Sequence, residues 1–187
     1  MNDSRNALVL VHPPSVSRRF LPTKFPPHGM ATLCAGLAGQ GLPVVQVDRL
    51  MDSLHADPCG LDVHGPDRDL GEDEFRSFLA SGQGSPRLAA FVARHLDVLP
   101  LDGRMYAFSV VSYHQYFGAL LLASALLRRQ PDTRVILGGP CVTVKPTAFL
   151  TRFPVPVDHV RGCGLRPLAL LWDNPHDATV PGLLRLQ

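Results

Sequence analysis

An α/β fold with a doubly wound parallel sheet follows from three features of the sequence. Short apolar, β-branched runs recur along the chain, helical stretches separate them, and Gly, Pro or Ser closes each run. With 187 residues, 45% of them hydrophobic, the chain is long enough to bury the core of one such domain.

The first run is Ala7 to Val11 and the second Val44 to Val47, entered from the turn Gly41-Leu42-Pro43. Between them, Met30 to Gln40 carries small and apolar residues fit for close packing on a sheet, and Gly41 supplies a helix stop. Residues 51–72 are polar and rich in Asp, Gly and Pro. They exceed a connection of about 4 to 6 residues and read as a surface excursion. Phe75 to Leu79 and Leu88 to Leu96 show the i, i+3, i+4 spacing of helices packed on one side. Met105 to Val111 is the third strand. Tyr116 to Arg129 is a nearly continuous apolar helix, closed by a basic pair that suits a helix C-terminus. Arg134 to Leu137 and Val157 to Val160 complete five strands.

Right-handed crossovers then give a three-layer, flavodoxin-like (Rossmann-like) sheet of order 2-1-3-4-5. Residues 1–172 form the domain on this reading, and residues 173–187 an exit arm anchored by Val180 and Leu183. The switch point lies between strands one and three. A ligand is expected outside the carboxyl ends of strands one, three and four, near Pro13, Ser109 to His114 and Gly138 to Cys141.

Composition and motifs remove several function classes. A formal charge of +2, with arginines scattered instead of massed, gives no footprint for nucleic acid. The apolar stretch Phe117 to Leu127 is too short to cross a bilayer and the first residues do not read as a secretion signal, so a cytoplasmic location is expected. Cys34, Cys59, Cys141 and Cys163 contain no C-x-x-C pair and read as reduced thiols. His12-Pro13-Pro14-Ser15 after strand one cannot form a Gly-rich phosphate loop, and neither a Walker nor a dinucleotide fingerprint occurs.

Other constellations carry less. His55, Cys59 and His64 lack zinc-ligand spacing and read as a solvated loop. Ser112, His114 and Asp158 have no G-x-S-x-G elbow to make a triad. Cys163 and Cys141 have no evident base and read as buried small hydrophobes or neutral thiols. No residue is assigned a catalytic or metal-ligating role.

At the strand ends, Gly138-Gly139 before Pro140 and Cys141 allows a planar or phosphate-bearing ligand to approach the backbone. Ser109, Ser112, Tyr113 and His114 bring hydroxyls and an imidazole to the switch point. Taken together, Leu8 to Pro14, the helix start Pro27-His28-Gly29-Met30, Val45 to Asp48, Ile136 to Pro140 and Val157 to Gly162 resemble the cobalamin-binding domain at the N-terminus of cobalamin-dependent radical S-adenosylmethionine proteins. Val180 to Leu183 resembles the segment leading into the radical domain. The resemblance spans roughly residues 7–50 and 104–185.

The resemblance implies a cobalamin (vitamin B12) site with the nucleotide tail between strands one and three. It implies contacts from Pro13, Pro14, Ser15 and Gly29, and from Ser109, Val111, Ser112, Tyr113 and His114. Gly138, Gly139, Pro140 and Cys141 would form the floor, and Gly162, Cys163 and Gly164 the far rim. A D-x-H-x-x-G histidine is missing after strand one, so no protein ligand is expected on the lower face of cobalt. Two departures stand out: Gly162-Cys163-Gly164-Leu165 replaces the family's G-E-G-E, and the C-x-x-x-C-x-x-C iron–sulfur motif is absent. The expectation is a module that binds no iron–sulfur cluster or S-adenosylmethionine and serves a separate radical enzyme in bacterial natural-product biosynthesis, by methyl transfer or a related step. The competing expectation is a domain that kept the fold, lost the corrin, and stabilises a partner protein. A lone hydrolase using Cys163 or Ser112 has no support in the spacing.

Overall fold

Alternation along the strands sorts their side chains into two cores. In the computed structural model, which describes residues 6–16, 28–50 and 71–185, β1 (Leu8–His12) sends Leu8 and Leu10 to one face and Val9 and Val11 to the other. β3 (Met105–Ser109) does the same with Met105 and Ala107 against Tyr106 and Phe108. These strands and β4 (Arg134–Gly138) are covered on both sides, which is why they read as unbroken apolar runs.

The helices segregate accordingly. α1 (His28–Gly39) and α7 (Leu165–Asp173) cover the face bearing Leu10, Ala107 and Ile136, through Met30, Leu37, Leu168 and Leu171. α2 (Glu72–Ser81), α3 (Pro86–Leu96) and α4 (Tyr113–Arg129) cover the other. The short turns α5 (Pro140–Val144) and α6 (Thr147–Leu150) follow β4.

Local chemistry fixes the ends. Ser85 caps α3 by accepting from the Leu88 amide, with Pro86 in the first turn, where its missing N–H is no loss. Ser112 and Gln115 form a reciprocal capping box on α4. That helix is buried from Gln115 to Leu126, so its stability comes from packing.

The sheet order is β2-β1-β3-β4-β5-β6, with β2 (Val44–Asp48) and β5 (Asp158–Val160) parallel to their neighbours. The first five strands thus have the flavodoxin-like order. The sixth strand was not foreseen: the exit arm turns back and β6 (Leu183–Leu184) pairs antiparallel with β5. Two residues are too few to show alternation. The turn needs Gly182, whose φ is +77° and where a Cβ would stand 2.5 Å from the Arg161 carbonyl. Below the sheet, Arg134 pairs with Asp158, and Arg185 donates to the carbonyls of Pro175, His176 and Asp177, which fastens the returning segment.

The expected strands and helices match the observed ones to within a few residues. The polar excursion of residues 51–72, including His55, Cys59 and His64, lies outside the described residues except at its end, where Glu72 already begins α2. Among the described residues, no helix is long and apolar enough to cross a membrane.

Candidate functional site

A cavity of about 360 Å³ opens at the carboxyl edge of the sheet, between α1 and α7. Register explains its floor. Leu10, Ala107 and Ile136 lie side by side across β1, β3 and β4, and one row nearer the edge Ser109 faces Gly138. Buried parallel strands usually carry branched side chains here, but Ala107, Ser109 and Gly138 leave a hollow that Met30 and Leu33 wall on one side and Leu165 and Leu168 on the other.

The helices that flank this hollow meet at Gly36, where a Cβ would stand 2.9 Å from a Leu165 methyl. A glycine that weakens α1 as an isolated helix thus lets the end of the Leu165 side chain pack against it, and a larger residue there would have to move that side chain. Towards the mouth, a Cβ at Gly29 or Gly162 would meet nothing within 4 Å.

The rim between β3 and β4 is held by backbone bonds. Val110 N–H donates to the Gly138 carbonyl at 2.8 Å, and Cys141 N–H to the Val110 carbonyl at 3.1 Å. Gly139 takes φ +99° and ψ −179°, and its position would bring a Cβ to 2.7 Å from the Val110 oxygen. The two adjacent glycines thus differ in role. Gly139 is demanded by the chain, whereas a Cβ on Gly138 would meet the Val160 carbonyl at 3.4 Å and the Val160 Cβ at 4.0 Å, both ordinary contacts.

Beside the cavity, one buried amide ties the chain after β1 to the chain after β3. The Gln115 carbonyl oxygen accepts from the Val111 and Ser112 amides, both at 3.1 Å, so its NH₂ donates to the Pro13 carbonyl and to His12 Nε2 at 2.9 Å. His12 Nε2 therefore accepts, and its Nδ1–H points to Asp48 at 3.2 Å. Both imidazole nitrogens are engaged.

This tie decides where the sequence-predicted residues go. Gly29, Ser109, Gly138, Gly139, Pro140, Gly162, Cys163 and Gly164 line the cavity. Pro13, Pro14 and Ser15 instead lie against α4: the Pro14 oxygen would be 2.2 Å from a Cβ on Gly118, and Ser15 is buried. Ser112 is spent as the helix cap, and Val111 is exposed on the rim. Tyr113 turns into an aromatic group with Phe117 and Phe149, with ring centroids 4.6 and 5.5 Å away, beneath the Lys145 ammonium. His114 follows on the same helix, its carbonyl accepting from Val16 N–H. Cys141 is buried with the opposite core, which pushes its thiol pKa up.

One reading of side-chain environment needs correction, that of Cys163 as a buried thiol, while the rejected triad stays rejected. Cys163 is exposed at the mouth, because Gly162 at φ +80° turns the loop outward before α7. Asp158 is engaged with Arg134 at the opposite edge of the sheet from Ser112, so the two cannot share a triad. On the far side of the sheet His159 is fully buried, hydrogen-bonded to the Tyr116 hydroxyl at 3.1 Å, and burial pulls its pKa down to about 4. Among the described residues no group of three His, Cys, Asp or Glu side chains could hold a metal ion.

Sequence reading missed the floor residues Leu10, Ala107 and Ile136, the four wall residues and Gln115. The signal for the floor was present: Ala107, Ser109 and Gly138 are small at positions that alternation puts on one face, and only the register sets them side by side. Among the described residues the lining is mostly apolar, with Cys163 its one titratable side chain. No model of a known protein family matches the sequence, and no curated protein aligns with it significantly.

Proposed function

We propose that the chain binds cobalamin and presents it to a separate radical S-adenosylmethionine enzyme, for methyl transfer or a related step in bacterial natural-product biosynthesis. The observation that carries this reading is the open apolar hollow at the carboxyl edge of β1, β3 and β4, created by small residues at Ala107, Ser109 and Gly138. It joins there the resemblance of the strand-end motifs. Ala107 and Ile136 would receive the nucleotide tail, the α1 and α7 walls would exclude water from it, and the Gly138-Gly139 backbone would let the macrocycle approach.

Cobalamin, when bound, supplies a cobalt centre able to carry a methyl group. The chain's own part is positioning. Because Asp48 and Gln115 occupy both nitrogens of His12, and Tyr113 is packed among Phe117 and Phe149, neither side chain is placed to act as a cobalt ligand.

The test is incubation of the purified chain with hydroxocobalamin followed by desalting. A retained visible spectrum in stoichiometric amount is expected. A colourless protein overturns the proposal and favours a partner-stabilising module that has lost the corrin.

A further inference from the structure

The direction of the Gln115 amide is fixed by main-chain groups. Its oxygen takes the Val111 and Ser112 N–H groups, which can only donate, so its NH₂ must face Pro13 and His12. His12 Nε2 can then take part only as an acceptor, which requires the neutral ring with its proton on Nδ1, towards Asp48. We infer that His12 and Gln115 form a proton-operated latch, in which protonation of His12 frees Val111 and Ser112 from Gln115 and loosens the rim of the cavity after β3.

An imidazolium carries hydrogen on both nitrogens, so its Nε2–H would confront the Gln115 NH₂ across the present 2.9 Å, donor against donor. Turning the amide over does not relieve this. Its oxygen would satisfy His12, but its NH₂ would then oppose the Val111 and Ser112 N–H groups, and the Pro13 carbonyl would lose Gln115 as its donor. The ring is 5% exposed, so bulk water does not take over the lost bonds at His12.

The charges around the ring favour no second escape. On β2 the Asp48 carboxylate faces Nδ1 at 3.2 Å and is the counter-charge available to an imidazolium, with Arg49 buried beside it, while α4 meets the ring with the neutral Gln115 amide. Neighbouring bonds would hold: Val110 N–H to the Gly138 carbonyl, and Gln115 N–H to the Ser112 hydroxyl, do not use the amide side chain. Release is thus local to Val111 and Ser112. It does not depend on what fills the cavity.

The test is NMR of the full chain from about pH 8 to 5, the range in which imidazoles titrate. Ring nitrogen shifts report the state of His12, and hydrogen exchange reports the Val111 and Ser112 amides. The carboxylate introduced by Gln115→Glu can accept from both amides and from a protonated ring, so this variant is expected to hold His12 protonated and both amides protected. At the acid end the two amides are expected to exchange at least about tenfold faster in the wild type than in Gln115→Glu, and within a few-fold of it at the alkaline end. Because His159 is common to both chains, its titration cancels in this comparison. Asp48→Asn, which takes the anion from the ring, is expected to move the wild-type loss to lower pH. A His12 that carries its proton on Nε2 at the alkaline end, that does not titrate in this range, or that titrates without faster exchange at Val111 and Ser112 overturns the latch, as does equal exchange in Gln115→Glu at the acid end.

Discussion

Replacing Gly138 by valine separates the proposed binding role of the cavity from its structural role. Position 138 lies two residues beyond Ile136 on β4, so a new side chain projects onto the cavity face. A Cβ there meets the Val160 carbonyl at 3.4 Å and the Val160 Cβ at 4.0 Å, and nothing closer. Its φ is not in the left-handed region, since Gly138 is absent from the positive-φ glycines. Removing a glycine from a strand recovers about 0.5–1 kcal/mol, so the variant should melt at the wild-type temperature or a few degrees above it. Within the hollow, the added branch overlaps any ring seated against the Ala107 and Ser109 rows. Overpacking of this kind costs about 1–3 kcal/mol, which is roughly five- to a hundredfold in affinity. Hydroxocobalamin titration followed by visible absorbance measures the affinity, and a thermal melt of the same sample reports the fold. Gly39→Ala on α1, with nothing within 4 Å of the new methyl, serves as the control and should bind normally. A well-folded Gly138→Val protein with unchanged affinity would remove the tail from this cavity.

Four further outcomes follow from the same geometry. Gly139→Ala, which forces a Cβ to 2.7 Å from the Val110 oxygen at φ +99°, should lose at least about 2 kcal/mol by urea denaturation, in contrast to its neighbour. Gln115→Leu orphans the Val111 and Ser112 amides and His12. The cost should be about 3 kcal/mol, a fall in Tm of roughly 10 °C in a thermal melt. Burial lowers the His159 pKa from 6.5 to about 4, so between these values the unfolded chain holds the extra proton and stability falls as the pH drops. Denaturation at pH 7 and pH 5 should differ by about 2 kcal/mol from this group, and His159→Gln should remove that part of the slope. Ala107→Leu fills the floor from β3 and should reduce hydroxocobalamin retention after desalting as strongly as Gly138→Val.

Much of the fold was legible because its signals are local. Strand runs such as Leu8–Val11, the stop at Gly41 and the basic end of α4 each follow from a few adjacent residues. The site was legible only in part. Glycine pairs and a strand-terminal serine announced the rim at Ser109, Gly138 and Gly139, but the choice between the two sheet faces depends on long-range contacts. Gln115 reads as one more polar residue in an apolar helix. Its reach to Pro13 and His12, about a hundred residues earlier, is what turns Tyr113 and His114 away from the cavity. The return of β6 was hidden for the same reason, since Gly182 owes its identity to the approach of Arg161.

The contact between Gly36 and Leu165 acts at a distance from the floor it governs. It lets the Leu165 side chain lie close against the neighbouring rod, at the back of the slot between them. A methyl group at that pinch would push the end of the Leu165 side chain aside, and because Leu165 also walls the cavity the slot would change shape with it. Tolerance for thicker or more hydrated appendages is thus adjustable at a position that touches none of them.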